Sequence, residues 1–180
     1  MTDSTLIIGG CRSGKSSYAL ALAQSRQPSN KFFVATCVPR DPEMEARVAR
    51  HRTERDASWQ VEEIPLHLHE FLLEQKADTD LILIDCLTLW ISNLMMAHDN
   101  DSDILASIDR LCDRLCAPPC PVLLVTNEVG AGIVPENDLA RRYRDLVGHA
   151  NQQVAAVCRQ VIWMVAGIAV PIKPSQQAPC

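Results

Sequence analysis

The chain has 180 residues, 47% of them hydrophobic, and a formal net charge of −5. That length suits one domain, residues 1–180, and that apolar content suits a real core; the acidic balance argues against a general nucleic-acid binder, which needs a basic excess. No stretch approaches the roughly 18 to 20 uninterrupted apolar residues that span a bilayer, and Met1-Thr-Asp-Ser lacks the basic start of a signal peptide, so a cytoplasmic protein without membrane insertion is expected.

Thr5-Leu-Ile-Ile8 reads as a buried strand and runs straight into Gly9-Gly10-Cys11-Arg12-Ser13-Gly14-Lys15-Ser16, with the spacing Gly-x₄-Gly-Lys-Ser. Each fixed position has a mechanical reason. Glycines let successive backbone N–H groups turn inward on an anion. Lys15 reaches the outer phosphates, the Ser16 hydroxyl ligates Mg²⁺, and the helix from Ser16 to Gln24 presents its positive dipole end. A chance match in a glycine-rich turn would not need the strand before and the helix after. Both are present, so the segment is read as a phosphate-binding loop for a nucleoside triphosphate.

A second apolar run follows at residues 32–36, and after it Arg40 to Arg55 carries five arginines. Asp41 as N-cap, Pro42 at the first helical position and acids in the first turn predict a helix of about four turns. Met44, Val48, His51 and Arg55 fall on one face, with Arg47 one turn before His51. Two readings stand: a solvated charged helix with a surface histidine, or a local anion site. Placement after the second strand, on the edge where the phosphate loop opens, favours the anion site. Positive neighbours disfavour an imidazolium there and leave a neutral nitrogen able to attack phosphorus. The arginines would stabilise charge on the transferring group.

Leu81-Ile-Leu-Ile-Asp85 is a strand ending in a carboxylate, which either stands beside Mg²⁺ or caps the helix predicted from Cys86 to Met96; both roles can hold at once. Further apolar runs at 121–126 and 160–166, with helical stretches between, predict an α/β domain with a mostly parallel sheet covered on both faces. Ligands of such sheets collect at the carboxyl ends of the strands, where the loop, Thr36, Asp85, Asn127 and Glu128 should converge. Residues 171–180 read as a frayed tail. The eight cysteines are scattered and read mostly as small buried hydrophobes. The spacing Cys112-x₃-Cys116-x₃-Cys120 does not match common zinc sites, and Cys11 in the loop is either a filler or a reactive thiol.

Taken together, GGCRSGKSS at 9–17, VAT at 34–36, ARVARHRTER at 46–55, LIDCLTLWISNL at 83–94, VTNEVGAGIVPEN at 125–137 and VIWMVAGIAVPIK at 161–173 resemble the bifunctional adenosylcobinamide kinase and adenosylcobinamide-phosphate guanylyltransferase family of cobalamin biosynthesis. The resemblance implies a RecA-like P-loop NTPase domain and a homotrimer. It also implies two reactions on a corrinoid: phosphorylation by ATP or GTP, then transfer of GMP from GTP through a guanylylated histidine. Carried over by position, His51 is the nucleophile and Lys15 the second catalytic group. Residues 9–16, Val34, Ala35, Thr36, Arg52, Thr53, Glu54, Arg55, Glu63 and Asp85 are the nucleotide-binding positions, with Ser16 and Asp85 also facing Mg²⁺. Two other readings remain open: a P-loop kinase of another small metabolite, and a RecA-like ATPase that moves or regulates a partner.

Overall fold

A computed structural model describes residues 3–39 and 57–173. His51, the Arg52–Arg55 stretch and the rest of the arginine-rich segment at residues 40–55 lie outside the described residues. Chain order is β1 (Ser4–Gly9), α1 (Lys15–Ser25), β2 (Lys31–Ala35), β3 (Trp59–Glu63), α2 (Leu68–Leu73), β4 (Leu81–Asp85), α3 (Leu87–Ala97), α4 (Asp101–Cys116), β5 (Val122–Asn127), α5 (Asp138–Val157), β6 (Gln160–Val165) and β7 (Ile168–Lys173).

Strand periodicity decides the layering, because successive side chains point to opposite faces of a sheet. Leu6, Ile82, Ile84, Val122 and Leu124 join one buried cluster, together with the apolar stripes of α2, α3, α4 and α5. Their neighbours Ile7, Leu81, Leu83, Leu123 and Val125 join the other, where Ala19 and Ala23 of α1 meet the sheet. Alanines at i and i+4 let α1 come close to the strands. On α4 the stripe is Ile104, Ile108, Leu111 and Leu115, all buried, and each contributes roughly 1.5–3 kcal/mol by leaving water. That helix starts where Asn100 accepts a hydrogen bond from the Asp103 N–H at 3.0 Å, with Asp101 and Asp103 in its first turn and Arg114 in its last, as its dipole favours.

The sheet order is β3-β2-β4-β5-β1-β6-β7. Strands β1 to β6 pair in parallel, and β7 returns antiparallel to β6. The mostly parallel α/β architecture expected from the sequence is therefore present. Two edge strands go beyond it. Strand β3 is exposed along Gln60 to Glu63 and so has no continuous apolar run. Strand β7 takes in Pro171, Ile172 and Lys173, so the segment expected to fray from residue 171 begins inside the sheet. Pro171 is tolerated because β7 is an edge strand, beside a register shift at Val161/Ile162.

Candidate active site

The parallel register brings the strand ends to one edge. Gly9 stands opposite Asn127 on one side and Met164 on the other, while Ala35 stands between Glu63 and Asp85. The phosphate loop leaves this edge from Gly9. A Cβ on Gly9 would lie 2.6 Å from the Met164 carbonyl oxygen and 2.6 Å from Ser13 Oγ, so close approach requires glycine there. Gly14 has φ of 90°, a left-handed conformation that glycine adopts without strain, and it caps α1. The loop is closed by Ser13 N donating to the Gly10 carbonyl at 3.3 Å and Gly167 N to the Ser13 carbonyl at 3.0 Å.

Lys15, the first residue of α1, donates from Nζ to the Gly10 carbonyl at 3.1 Å. Ser13 Oγ is buried and has no hydrogen-bond partner among the described residues. Cys11 and Arg12 are exposed, and Ser16 is half-buried. Backbone N–H groups at the start of a helix, a lysine and two hydroxyls form a site suited to a polyphosphate.

Strand β4 delivers Asp85 beside this loop. The Asp85–Cys86 peptide is cis, and Thr36 bridges it from β2: Thr36 N donates to the Asp85 carbonyl at 3.2 Å. Burial, and secondarily the Asp85 charge, push the Cys86 thiol up to about 11, while its contact with Thr88 and the Lys15 ammonium pull the other way.

Helix α3 fastens the same edge from behind. Asn93 Nδ2 donates to the Thr36 carbonyl at 2.7 Å and to the Pro65 carbonyl at 3.1 Å. One turn earlier, Trp90 Nε1 donates to the Leu66 carbonyl at 2.7 Å. The exits of β2 and β3 are therefore held by residues at i and i+3 of one helix. Neither residue stood out in the sequence, where both read as parts of an apolar helix.

The expected positions divide once they are placed. Residues 9–16, Thr36, Glu63 and Asp85 share the carboxyl edge. Val34 does not present its side chain there: it is 0% exposed and belongs to the core between β1 and the α2–α5 layer, because it points to the covered face of β2. Thr36 is also fully buried, and its hydroxyl is engaged by Cys86 at 2.7 Å and 2.9 Å. Glu63 is exposed at the end of β3.

The segment after β5 is anchored at the loop as well. Glu128 N donates to the Gly9 carbonyl at 3.1 Å. Asn151 on α5 supports the strand end, accepting from Thr126 Oγ1 at 2.7 Å and donating to the Asn127 carbonyl at 3.1 Å. Asn127 Oδ1 is buried and unpartnered among the described residues. Tyr143 donates its hydroxyl to the Thr88 carbonyl at 3.2 Å, and burial raises its pKa.

A family model described as "Cobinamide kinase / cobinamide phosphate guanyltransferase" matches residues 5–172. The bifunctional adenosylcobalamin biosynthesis protein CobU of Escherichia coli (strain K12) is 39% identical over 180 residues, spanning 93% of this chain and 98% of that one. CobP of Pseudomonas aeruginosa, carrying the same description, is 39% identical over 168 residues, spanning 93% and 96%. Among solved structures, the flagellar accessory protein FlaH from Methanocaldococcus jannaschii aligns with a TM-score of 0.55 at 13% identity, over 97% of this chain and 79% of that one. A KaiC-like protein from Pyrococcus horikoshii aligns with a TM-score of 0.50 at 17% identity, over 89% and 70%. At those identities the structural likeness shows the fold alone, that of P-loop NTPases. The family match and the identities with CobU and CobP, each across nearly the whole chain, decide the rest: this chain belongs to the cobinamide kinase / cobinamide phosphate guanyltransferase family of enzymes.

Proposed function

We propose that the chain phosphorylates adenosylcobinamide with ATP or GTP, then transfers GMP from GTP through a guanylyl-histidine on His51 to the phosphorylated corrinoid, giving adenosylcobinamide-GDP. The observation that carries the kinase half is the loop geometry: Gly9 packed against Met164 where no Cβ fits, and Lys15 at the start of α1 with Nζ on the Gly10 carbonyl, on the sheet edge where β4 ends at Asp85. The transferase half rests on the family and on His51.

In the kinase half, the backbone of residues 9–16 holds the polyphosphate, and the Lys15 ammonium exchanges the Gly10 carbonyl for an outer phosphate oxygen. Mg²⁺ fits the donors at this edge: the Ser16 hydroxyl and the Asp85 carboxylate are hard oxygen ligands, and this ion takes few protein ligands beside phosphates and water. When bound, it neutralises charge on the transferring phosphoryl group. Ala35 and Glu63 hold the nucleotide from the neighbouring strand ends, with Arg52, Thr53, Glu54 and Arg55 as the further contacts; the buried Val34 and Thr36 contribute through packing and by fixing the ends of β2 and β4.

In the transferase half, a His51 nitrogen attacks the α-phosphorus of GTP. The α–β anhydride bond breaks and pyrophosphate leaves. A phosphate oxygen of the corrinoid then displaces the histidine and breaks the phosphorus–nitrogen bond. We place the protein in the cytoplasm as a homotrimer. An exposed apolar face at the sheet edge supports self-association: Trp163 pairs with Val170 and Val165 with Ile168 across β6 and β7, and all four are exposed.

The test is incubation with Mg²⁺ and GTP labelled at the α- or the γ-phosphate, followed by denaturation, for the wild type and His51→Ala. Acid-labile label from the α position alone, absent in the variant, is expected. No label from either position removes the transferase claim and leaves a P-loop kinase.

A further inference from the structure

The segment from Glu128 to Leu139 forms an apolar rim beside the phosphate loop. Ile133 is 97% exposed, Val134 63% and Leu139 63%. Large side chains so placed add nothing to the core, yet the backbone that carries them is fastened at several points. The Glu128 carboxylate accepts from Gly130 N at 2.6 Å, Arg144 donates to the Gly130 carbonyl at 2.8 Å, and Arg141 donates to the Pro135 carbonyl at 2.9 Å. Asn137 caps α5 by accepting from Ala140 N at 3.1 Å. A loop held this firmly while presenting apolar groups to water is built for a contact.

Position selects the occupant. The rim starts one hydrogen bond from the phosphate loop, through Glu128 N and the Gly9 carbonyl. It continues onto α5, in the layer opposite α1. Phosphoryl transfer sets the attacking and leaving oxygens roughly in line, so the acceptor approaches the phosphorus from the side away from the nucleotide. At 1.5 Å per helical residue, Leu139 stands about 7.5 Å from Arg144 toward the start of α5, a span suited to a bulky molecule with a hydroxyl-bearing arm. Beneath the rim, Arg144 Nη1 is buried and has no hydrogen-bond partner among the described residues, a cation available to an anionic substituent reaching under Gly130.

We propose that Ile133, Val134 and Leu139 form the docking surface for the acceptor substrate, a large alcohol whose macrocycle offers methyl-bearing apolar faces, and that Arg144 pairs with the phosphate this substrate gains. The inference rests on the kinase activity proposed above and assigns its acceptor side.

The test is steady-state phosphorylation of adenosylcobinamide by Mg-ATP, with equilibrium dialysis of the corrinoid, for the wild type, Ile133→Asp/Val134→Asp and Leu73→Asp. Leu73 is an exposed apolar residue on α2 and serves as the control. The double variant should raise the corrinoid KM and its dissociation constant at least tenfold, leaving the ATP KM and the melting temperature unmoved. Leu73→Asp should change none of these. An active wild type whose corrinoid KM is unaltered in the double variant, or altered equally in both variants, overturns the docking surface alone. A wild type that neither binds nor phosphorylates adenosylcobinamide overturns the proposed activity, and the docking surface with it.

Discussion

Thr36 Oγ1 and the backbone of Cys86 bond in both directions: the hydroxyl donates to the Cys86 carbonyl at 2.7 Å and accepts from the Cys86 N–H at 2.9 Å. One side chain after β2 thereby satisfies both backbone groups of the residue after β4, in a fully buried position. Thr36→Val keeps the shape and removes the oxygen. It should destabilise the fold by about 1–3 kcal/mol for each backbone group left unpaired, while Thr36→Ser retains most of the stability. Urea unfolding measures both, and a valine variant as stable as wild type would contradict the role given to this hydroxyl.

Two adjacent glycines should behave differently. A Cβ on Gly9 meets a backbone carbonyl and Ser13 Oγ at 2.6 Å, whereas a Cβ on Gly10 meets nothing within 4 Å. Gly9→Ala must therefore move β6 or the loop, at a cost of roughly 1–3 kcal/mol for an overpacked site. Gly10→Ala should fold within about 0.5 kcal/mol of wild type, as surface substitutions do. Thermal melts of the two variants, with nucleotide binding by calorimetry, separate these cases; equal melting temperatures would count against the steric argument.

Cysteine reactivity follows from burial. Cys11 and Cys116 are exposed, whereas Cys86 and Cys120 are buried. Burial, and then the Asp80 charge, push the Cys120 thiol up to about 12, and Cys86 stands near 11. Only thiolates alkylate readily. Iodoacetamide at pH 7 should label Cys11 and Cys116 and spare Cys86 and Cys120, and Mg-ATP should slow Cys11 without affecting Cys116. Peptide mass spectrometry reads all four, and labelling of Cys11 that ignores nucleotide would argue against occupancy of the loop.

The legible parts of this chain were those with a local physical signal. The central strands are continuous apolar runs because both faces are covered, and the phosphate loop announces itself because each of its positions has a separate mechanical duty. Strand β3 was not legible: its only buried residue is Trp59, and an edge strand needs no apolar pattern. Strand β7 was masked by Pro171, which reads as a strand breaker until the edge position is known. Asn93 and Trp90 were invisible for a different reason. Their partners, the carbonyls of Thr36, Pro65 and Leu66, lie 24 to 57 residues away in sequence, and such pairs exist only once the sheet order is set. Val34 shows the converse, since a position inside the motif VAT at 34–36 turns its side chain to the core.

His69 on α2 should govern the first stage of acid destabilisation. Its Nδ1 stands 2.9 Å from Glu70 Oε2, but the two atoms are not aligned as a hydrogen bond. Burial holds its pKa below the ordinary 6.5; Arg110 and Arg114 of α4 and His67 push the same way, and Glu70 opposes them. The folded chain therefore binds fewer protons than the unfolded chain between that lowered value and 6.5, so stability is lost as pH falls below 6.5. Glu70 adds a second stage. Burial acts to raise its pKa, but hydrogen bonds from its own backbone N–H and from His67, with the charges of His69 and His67, bring it below 4.5; its contribution is present above 4.5 and is lost as pH falls further. His69→Gln should flatten the upper stage and also shrink the lower one, because it removes one of the charges that lower the Glu70 pKa. Glu70→Gln should deepen the upper stage, because it removes the charge that favours the imidazolium. Melting temperatures of the three proteins from pH 8 to pH 4 give the answer directly, and parallel curves for wild type and His69→Gln between pH 6.5 and 5 would rule out this assignment.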